Sequence, residues 1–79
     1  MTVSVVESLI LDLLEWIGRE SRPYSEVMAA WRTSCPGLQI WEDAGDRGFV
    51  RRHLEEGRGI FISVTPLGRE HLARFRPRR

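Results

Sequence analysis

The spacing of apolar residues changes at Gly48, and this change limits the folds that the chain can adopt. Before Gly48, apolar residues recur every three or four positions, which is the repeat of an amphipathic helix. After Gly48, the period falls to two over residues 49–54 and again over residues 59–64, which is typical of β-strands. Residues 55–58 between them are polar and include a glycine. The pattern therefore predicts helices followed by a β-hairpin.

Three helices are predicted before the hairpin, over residues 5–19, 24–33 and 38–47. Gly18 is placed to end the first helix and Gly48 to end the third, because glycine readily adopts the left-handed conformation that closes a helix. The residues expected to face inward on the first helix are Val6, Leu9, Ile10, Leu13, Trp16 and Ile17. Those expected on the third helix are Leu38, Trp41, Ala44 and Gly45, with Ile40 helping.

The first helix has a wider apolar arc than a three-helix core needs. Leu11 falls on or beside its polar side, and Val5 and Leu14 widen the apolar stripe. Surplus apolar surface predicts a second copy of the chain packed against it. We therefore expect a homodimer formed through helix 5–19.

A fourth helix is predicted after the hairpin. Thr65 is suited to cap its first turn, and Pro66 to occupy the first helical position, where its missing N–H costs nothing. Leu67, Leu72 and Phe75 are its expected buried residues. The basic tail, residues 76–79, has no apolar residue with which to pack and is expected to fray. The 79 residues suffice for one domain with an ordered core over about residues 5–75.

The chain has a net charge of +1, from 12 basic side chains, all arginine, and 11 acidic ones. The charge is uneven, because the predicted first and third helices are acidic and the C-terminal end is basic. The single cysteine, Cys35, cannot form an intramolecular disulfide, which fits a reducing compartment. No secretory signal or membrane span is predicted, so the expected location is the cytoplasm, with no membrane partner.

The residues that could carry chemistry are few. His53, His71 and Cys35 do not have the spacing of metal ligands. The glycines do not form a phosphate-binding loop after a strand. We therefore expect no enzyme activity, no metal and no cofactor.

Two short motifs resemble steps found in MarR-like and PadR-like bacterial regulators. Residues 48–52, GFVRR, resemble the G-(L/I/F)-(V/I)-x-R step between their third helix and the wing. Residues 64–69, VTPLGR, resemble the (L/V)-T-x-x-G-R step that ends the wing. With the helices, the resemblance covers about residues 5–75. It implies an α+β, mainly α, winged helix-turn-helix fold, with a three-helix core, a β-hairpin wing and a short C-terminal helix.

The resemblance also implies binding of double-stranded DNA by a small protein of the transcription-regulator type. Its third helix would enter the major groove, where Gln39 and Arg47 could reach base edges. Arginines of the wing and the C-terminal end would bind phosphates or the minor groove, with Arg58 at the wing tip. The resemblance specifies no small-molecule effector. The candidate DNA-binding residues are Gln39, Arg47, Arg51, Arg52, Arg58, Arg69 and Arg74.

An acidic third helix favours a different function. Glu42, Asp43 and Asp46 lie together on the side that would face the DNA. Carboxylates repel the phosphate backbone, which supplies most of the affinity of DNA-binding proteins. They indicate either a solvated helix face or a contact with another protein. The alternative is therefore a protein-interaction module that uses these three residues and binds no DNA.

Overall fold

The computed structural model describes residues 5–31 and 37–76 of the chain. They form a small α+β domain, mainly helical, with a three-stranded antiparallel sheet. Cys35 and the tail residues 77–79 lie outside the described residues. The elements are α1 (Val5–Ile17), β1 (Arg22–Pro23), α2 (Tyr24–Trp31), α3 (Gly37–Asp46), β2 (Val50–Glu55), β3 (Gly59–Val64) and α4 (Pro66–Phe75).

Two glycines end helices as predicted. Gly18 has φ +75° and Gly48 has φ +77°, in the left-handed region where a side chain would be strained. The Gly18 N–H donates to the carbonyl of Leu14, 3.0 Å away. Helix α1 thus ends two residues before the predicted end, and the chain leaves α3 at Gly48 to enter the sheet.

The predicted hairpin is present as β2 and β3. They pair antiparallel from Val50 opposite Val64 to Glu55 opposite Gly59. The short strand β1 is not among the elements predicted from the sequence. It pairs with the other edge of β3, which gives the strand order β1–β3–β2. Pro23 fits there because an edge strand tolerates a residue without an N–H.

The core lies where α1, α2 and α3 meet the inner face of the hairpin. Trp16, Trp31 and Trp41 are partly buried and pack against this core. The largest side chains that are completely buried are Ile10, Leu13, Leu14, Val27, Ile40 and Ile62.

No helix within residues 5–31 and 37–76 has the length and apolarity needed to cross a bilayer.

The apolar surplus of α1 is buried within the chain, which corrects the predicted orientation of Leu11. Leu11 is 3% exposed and Leu14 is fully buried, whereas Val5 at the helix start is 74% exposed. The reason is that α1 packs against both α3 and α4, so two of its sides are covered. A homodimer formed through α1 is still a prediction, but Leu11 and Leu14 no longer favour it, because both side chains are buried within the chain.

The inward face of α3 is rotated from the predicted one. Ile40 and Ala44 are fully buried, one turn apart, whereas Leu38 and Gly45 are exposed and Trp41 is only partly buried. Residues four apart share one side of a helix. The side centred on Ile40 and Ala44 is therefore the one that α3 packs into the core.

The start of α4 is as predicted, but its buried face is not. The Gly68 N–H donates to Thr65 Oγ1 over 3.0 Å, and Pro66 begins the helix. Leu67 and Phe75 are half exposed, and Gly68 is the buried residue of α4. A Cβ atom at Gly68 would lie 2.3 Å from the carbonyl oxygen of Phe49. Helix α4 therefore approaches the backbone of Phe49 at a glycine, whereas Leu67 and Phe75 do not form its buried face.

Candidate nucleic-acid interface

A groove separates α3 from β2, and part of each predicted interface lines it. We call it the α3–wing groove, where wing is only a name for the β2–β3 hairpin, residues 50–64. Arg51 and Arg52 follow each other on β2, so their side chains leave opposite faces of the sheet. Arg52 pairs in register with Ile62, and its guanidinium lies 5.4 Å from the ring centre of Tyr24. The groove is lined by Tyr24, Trp41, Glu42, Asp46, Arg51 and Arg52, among others.

The two walls of the α3–wing groove carry opposite charges that the fold does not pair. Within residues 5–31 and 37–76, neither Arg51 nor Arg52 forms an ion pair. The same holds there for Glu42, Asp43 and Asp46. The α3 wall is therefore acidic through Glu42 and Asp46, and the β2 wall is basic through Arg51 and Arg52. Asp43 is not among the residues that line the groove.

The end of α3 does not present a base-reading arginine, as the predicted role of Arg47 requires. Arg47 Nη1 lies 2.7 Å from Glu7 Oε2 on α1, and its guanidinium stacks 4.8 Å from the ring centre of Phe49. Arg47 thus ties the end of α3 to α1. Gln39 is exposed near the start of α3, as predicted.

Arg58 lies in the wing turn, as predicted, but folds back onto the sheet. Its guanidinium is 4.5 Å from the ring centre of Phe61, and its Nη1 atom is 3.1 Å from Glu55 Oε1. Phe61 is only 4% exposed, so Arg58 helps to cover a large ring that lies on the outer face of β3. Its charge is already shared with Glu55.

The two candidate arginines of α4 are not brought to the α3–wing groove. Arg69 lines a separate groove beside the end of α1. Arg74 is exposed, with Nη2 4.0 Å from Glu70 Oε1, one helical turn away. Only Arg51 and Arg52 of the predicted DNA-binding set therefore meet at one groove, together with the acidic residues of α3.

His71 belongs to a buried cluster that sequence reasoning did not identify. Its ring stacks on Phe49 with a centroid distance of 4.4 Å. Its Nε2 atom is buried, lies 3.8 Å from Glu7 Oε1 and forms no hydrogen bond with a described residue. Burial lowers the pKa of His71, and the positive charge of Arg47 lowers it further. Desolvation thus favours the neutral ring.

Arg76 corrects the expectation that the basic tail has nothing to contact. Its Nη1 atom lies 2.7 Å from Asp12 Oδ1 and 2.6 Å from Glu15 Oε1 on α1. The hydrogen bond to Asp12 raises the pKa of Arg76, with a second contribution from Glu15. No local sequence signal marks this contact, because the partners are 64 and 61 positions away.

Metal binding has no support among the described side chains. Within residues 5–31 and 37–76, no three His, Cys, Asp or Glu residues form a group that could hold a metal ion. His53 lies on β2, with Nδ1 3.8 Å from Glu55 Oε2, whereas His71 lies on α4.

No protein-family model, curated protein or solved structure matches the chain.

Proposed function

We propose that the chain is a winged helix-turn-helix domain whose α3–wing groove binds a protein partner through basic side chains of that partner. The order of helices and strands supports this fold. So do the two motifs, because residues 48–52 leave α3 for β2 and residues 64–69 leave β3 for α4. The observation that carries the proposed function is the row of carboxylates on α3 that form no ion pair with described residues.

The chemistry of the α3 wall suits a guanidinium or an ammonium group. Glu42 and Asp46 are one helical turn apart, and both line the groove. Beside them, the rings of Tyr24 and Trp41 meet edge to face with centroids 6.4 Å apart. Carboxylates bind cations by charge-assisted hydrogen bonds, and aromatic faces attract them through the ring quadrupole. Arg52 over Tyr24 shows that a guanidinium fits against this ring.

Neutralising the α3 carboxylates tests this proposal. The triple variant Glu42→Gln, Asp43→Asn, Asp46→Asn keeps the shape of the groove and removes its negative charge. In affinity capture from cells that express the chain, this variant should lose the partner. The matched control is Glu20→Gln, Glu56→Gln, Glu70→Gln, which changes the net charge equally at exposed sites elsewhere. A captured partner that the α3 variant retains at full yield would refute the proposal.

Binding of double-stranded DNA, as by a regulator of transcription, is the second candidate. The observation in its favour is that Arg51 and Arg52 are exposed on the wing with no ion pair among the described residues. Arginines in this state can contact phosphates. Against it, the wing faces the acidic α3, and Arg47 and Arg58 already share their charges with Glu7 and Glu55.

The same α3 variant separates the two functions. It should weaken the binding of a basic protein partner and strengthen the binding of DNA, because carboxylates attract basic side chains and repel phosphates. Fluorescence anisotropy with a random duplex over a series of salt concentrations measures the second effect. The slope of log K against log salt is negative, and each phosphate contact that is lost reduces its magnitude by about 0.9. For a DNA-binding chain, Arg51→Gln with Arg52→Gln should thus make the slope shallower by about 2. Absence of binding at low salt would exclude DNA.

A further inference from the structure

A second groove runs between the end of α1, strand β3 and α4, on a part of the surface that the proposed function does not use. We call it the α1–α4 groove. It shares no lining residue with the α3–wing groove and has a cavity volume of about 450 Å³. Small-molecule sites in proteins commonly have volumes of about 300–1,000 Å³. Its lining includes Leu14, Arg19, Val64, Arg69, Leu72 and Ala73.

The floor of the α1–α4 groove is aliphatic. Leu14 and Val64 are core residues, Leu72 packs on the core from α4, and Ala73 is exposed on the same helix. Among the residues that the structure describes, no aromatic ring lines the groove. Such a surface gains by burying an alkyl chain and offers no stacking partner for a ring.

The rim of the groove is positively charged. Arg19, Arg69 and Arg76 line it, with Glu15 as the acidic residue. Glu15 is paired with Arg76 at 2.6 Å, and Arg76 is also held by Asp12. Arg19 and Arg69 form no ion pair with a described residue. Two guanidinium groups therefore stand beside an aliphatic floor, and no carboxylate within residues 5–31 and 37–76 is paired with them.

We propose that the α1–α4 groove binds a linear aliphatic carboxylate, a molecule with the chemistry of a fatty acid. The alkyl chain lies along Leu72 and Ala73 of α4, with the buried Leu14 and Val64 beneath the groove. The carboxylate is held by Arg19 and Arg69, since the planar fork of arginine matches the two carboxylate oxygens. An apolar body with one negative end is the ligand that complements both parts of this groove.

Titration calorimetry with decanoate, below its critical micelle concentration, tests the proposal on the full chain. Binding should tighten from octanoate to decanoate, by up to about fourfold for each buried methylene. Decanol, which has the same chain without the charge, should bind at least tenfold more weakly. Binding of neither decanoate nor dodecanoate, or equal binding of decanol and decanoate, would overturn the proposal.

Paired variants locate the site. Arg19→Gln with Arg69→Gln should weaken decanoate binding at least tenfold, and both residues are exposed, so the fold tolerates the change. Arg51→Gln with Arg52→Gln removes the same charge from the wing and should leave binding unchanged. Ala73→Phe fills the groove from an exposed position and should abolish binding. If the wing variant weakens binding as much as the Arg19 and Arg69 variant, the carboxylate is held by net charge alone and the proposed site is wrong.

Discussion

Ion pairs join α1 to its neighbours, whereas none within the described part of the chain joins α3 to β2. On the α1 side, Arg76 bridges Asp12 and Glu15, and Arg47 reaches Glu7. In the α3–wing groove, the charges of the two walls remain unpaired. The net charge of +1 therefore says little about binding. Charges paired inside the fold position its elements, and unpaired charges are the ones that a partner can use.

The largest difference in stability between the α1 side and the wing should come from truncating a leucine on each. Leu14→Ala takes a fully buried side chain out of the core and should lower the free energy of unfolding by about 2–5 kcal/mol. Leu54→Ala on β2 removes the same atoms from a side chain that is 76% exposed, and should change stability by less than about 0.5 kcal/mol. Urea unfolding followed by tryptophan fluorescence measures both. Equal losses would contradict the buried position of Leu14.

Two helical glycines should respond with opposite signs to the same substitution. Gly68→Ala forces a Cβ atom against the Phe49 carbonyl and Val64 and should destabilise the chain by about 1–3 kcal/mol. Gly45→Ala on α3 meets no atom within 4 Å. It should stabilise the chain by up to about 1 kcal/mol, because alanine favours the helix. Thermal unfolding followed by circular dichroism gives both signs, and a neutral Gly68→Ala would disprove the close approach of α4.

Removing the charge of one arginine should lower stability on the α1 side and leave it unchanged on the wing. Arg76→Gln loses the contacts with Asp12 and Glu15, and should lower stability by about 1 kcal/mol, the upper range for partly exposed ion pairs. Arg51→Gln should have no measurable effect on stability, because its charge is unpaired. High salt should shrink the first difference through screening. A loss that is insensitive to salt would mean that packing of the Arg76 stem, not its charge, joins α4 to α1.

Acid should lower the free energy of unfolding through His71, which lies on α4 beside Glu7 of α1. Because burial and Arg47 lower its pKa in the folded chain, the unfolded chain takes up the proton first as the pH falls. Stability should therefore be highest above the ordinary histidine pKa of about 6.5, and decline as the pH drops below it. His71→Gln should flatten this decline in urea unfolding measured between about pH 7.5 and 5. An unchanged slope would assign the acid sensitivity to other groups.

Local signals in the sequence predict most of the fold. Gly18 and Gly48 mark helix ends because of their backbone conformation, and Thr65 with Pro66 marks a helix start through one side chain and one missing N–H. These are properties of neighbouring residues. The change of period at Gly48 predicts the hairpin for the same reason, since alternation is a property of one strand.

Contacts between distant residues account for what the sequence did not predict. Strand β1 has two residues, and its pairing with Phe61 and Ile62 depends on β3. The inward face of α3 could not be predicted from its own residues, because Leu38 and Ile40 are both apolar and either could face the core. The packing of α3 against α1 decides between them. The candidate site follows the same rule. The sequence suggests the arginines as candidates, which stays a prediction, but the carboxylates that pair with Arg47 and Arg58 are identified only by the folded chain.

Thr65 connects both ends of the wing at one point. Its N–H donates to the carbonyl of Phe49 over 2.9 Å, and its hydroxyl donates to the carbonyl of Gly48 over 2.6 Å. The two ends of the hairpin are therefore held together at one point, where it joins α3 and α4. Lengthening the turn at Gly57, or inserting a fluorescent or affinity peptide there, should leave the helices undisturbed, since longer loops cost little closure entropy. The wing tip is thus the natural position for a reporter on this domain.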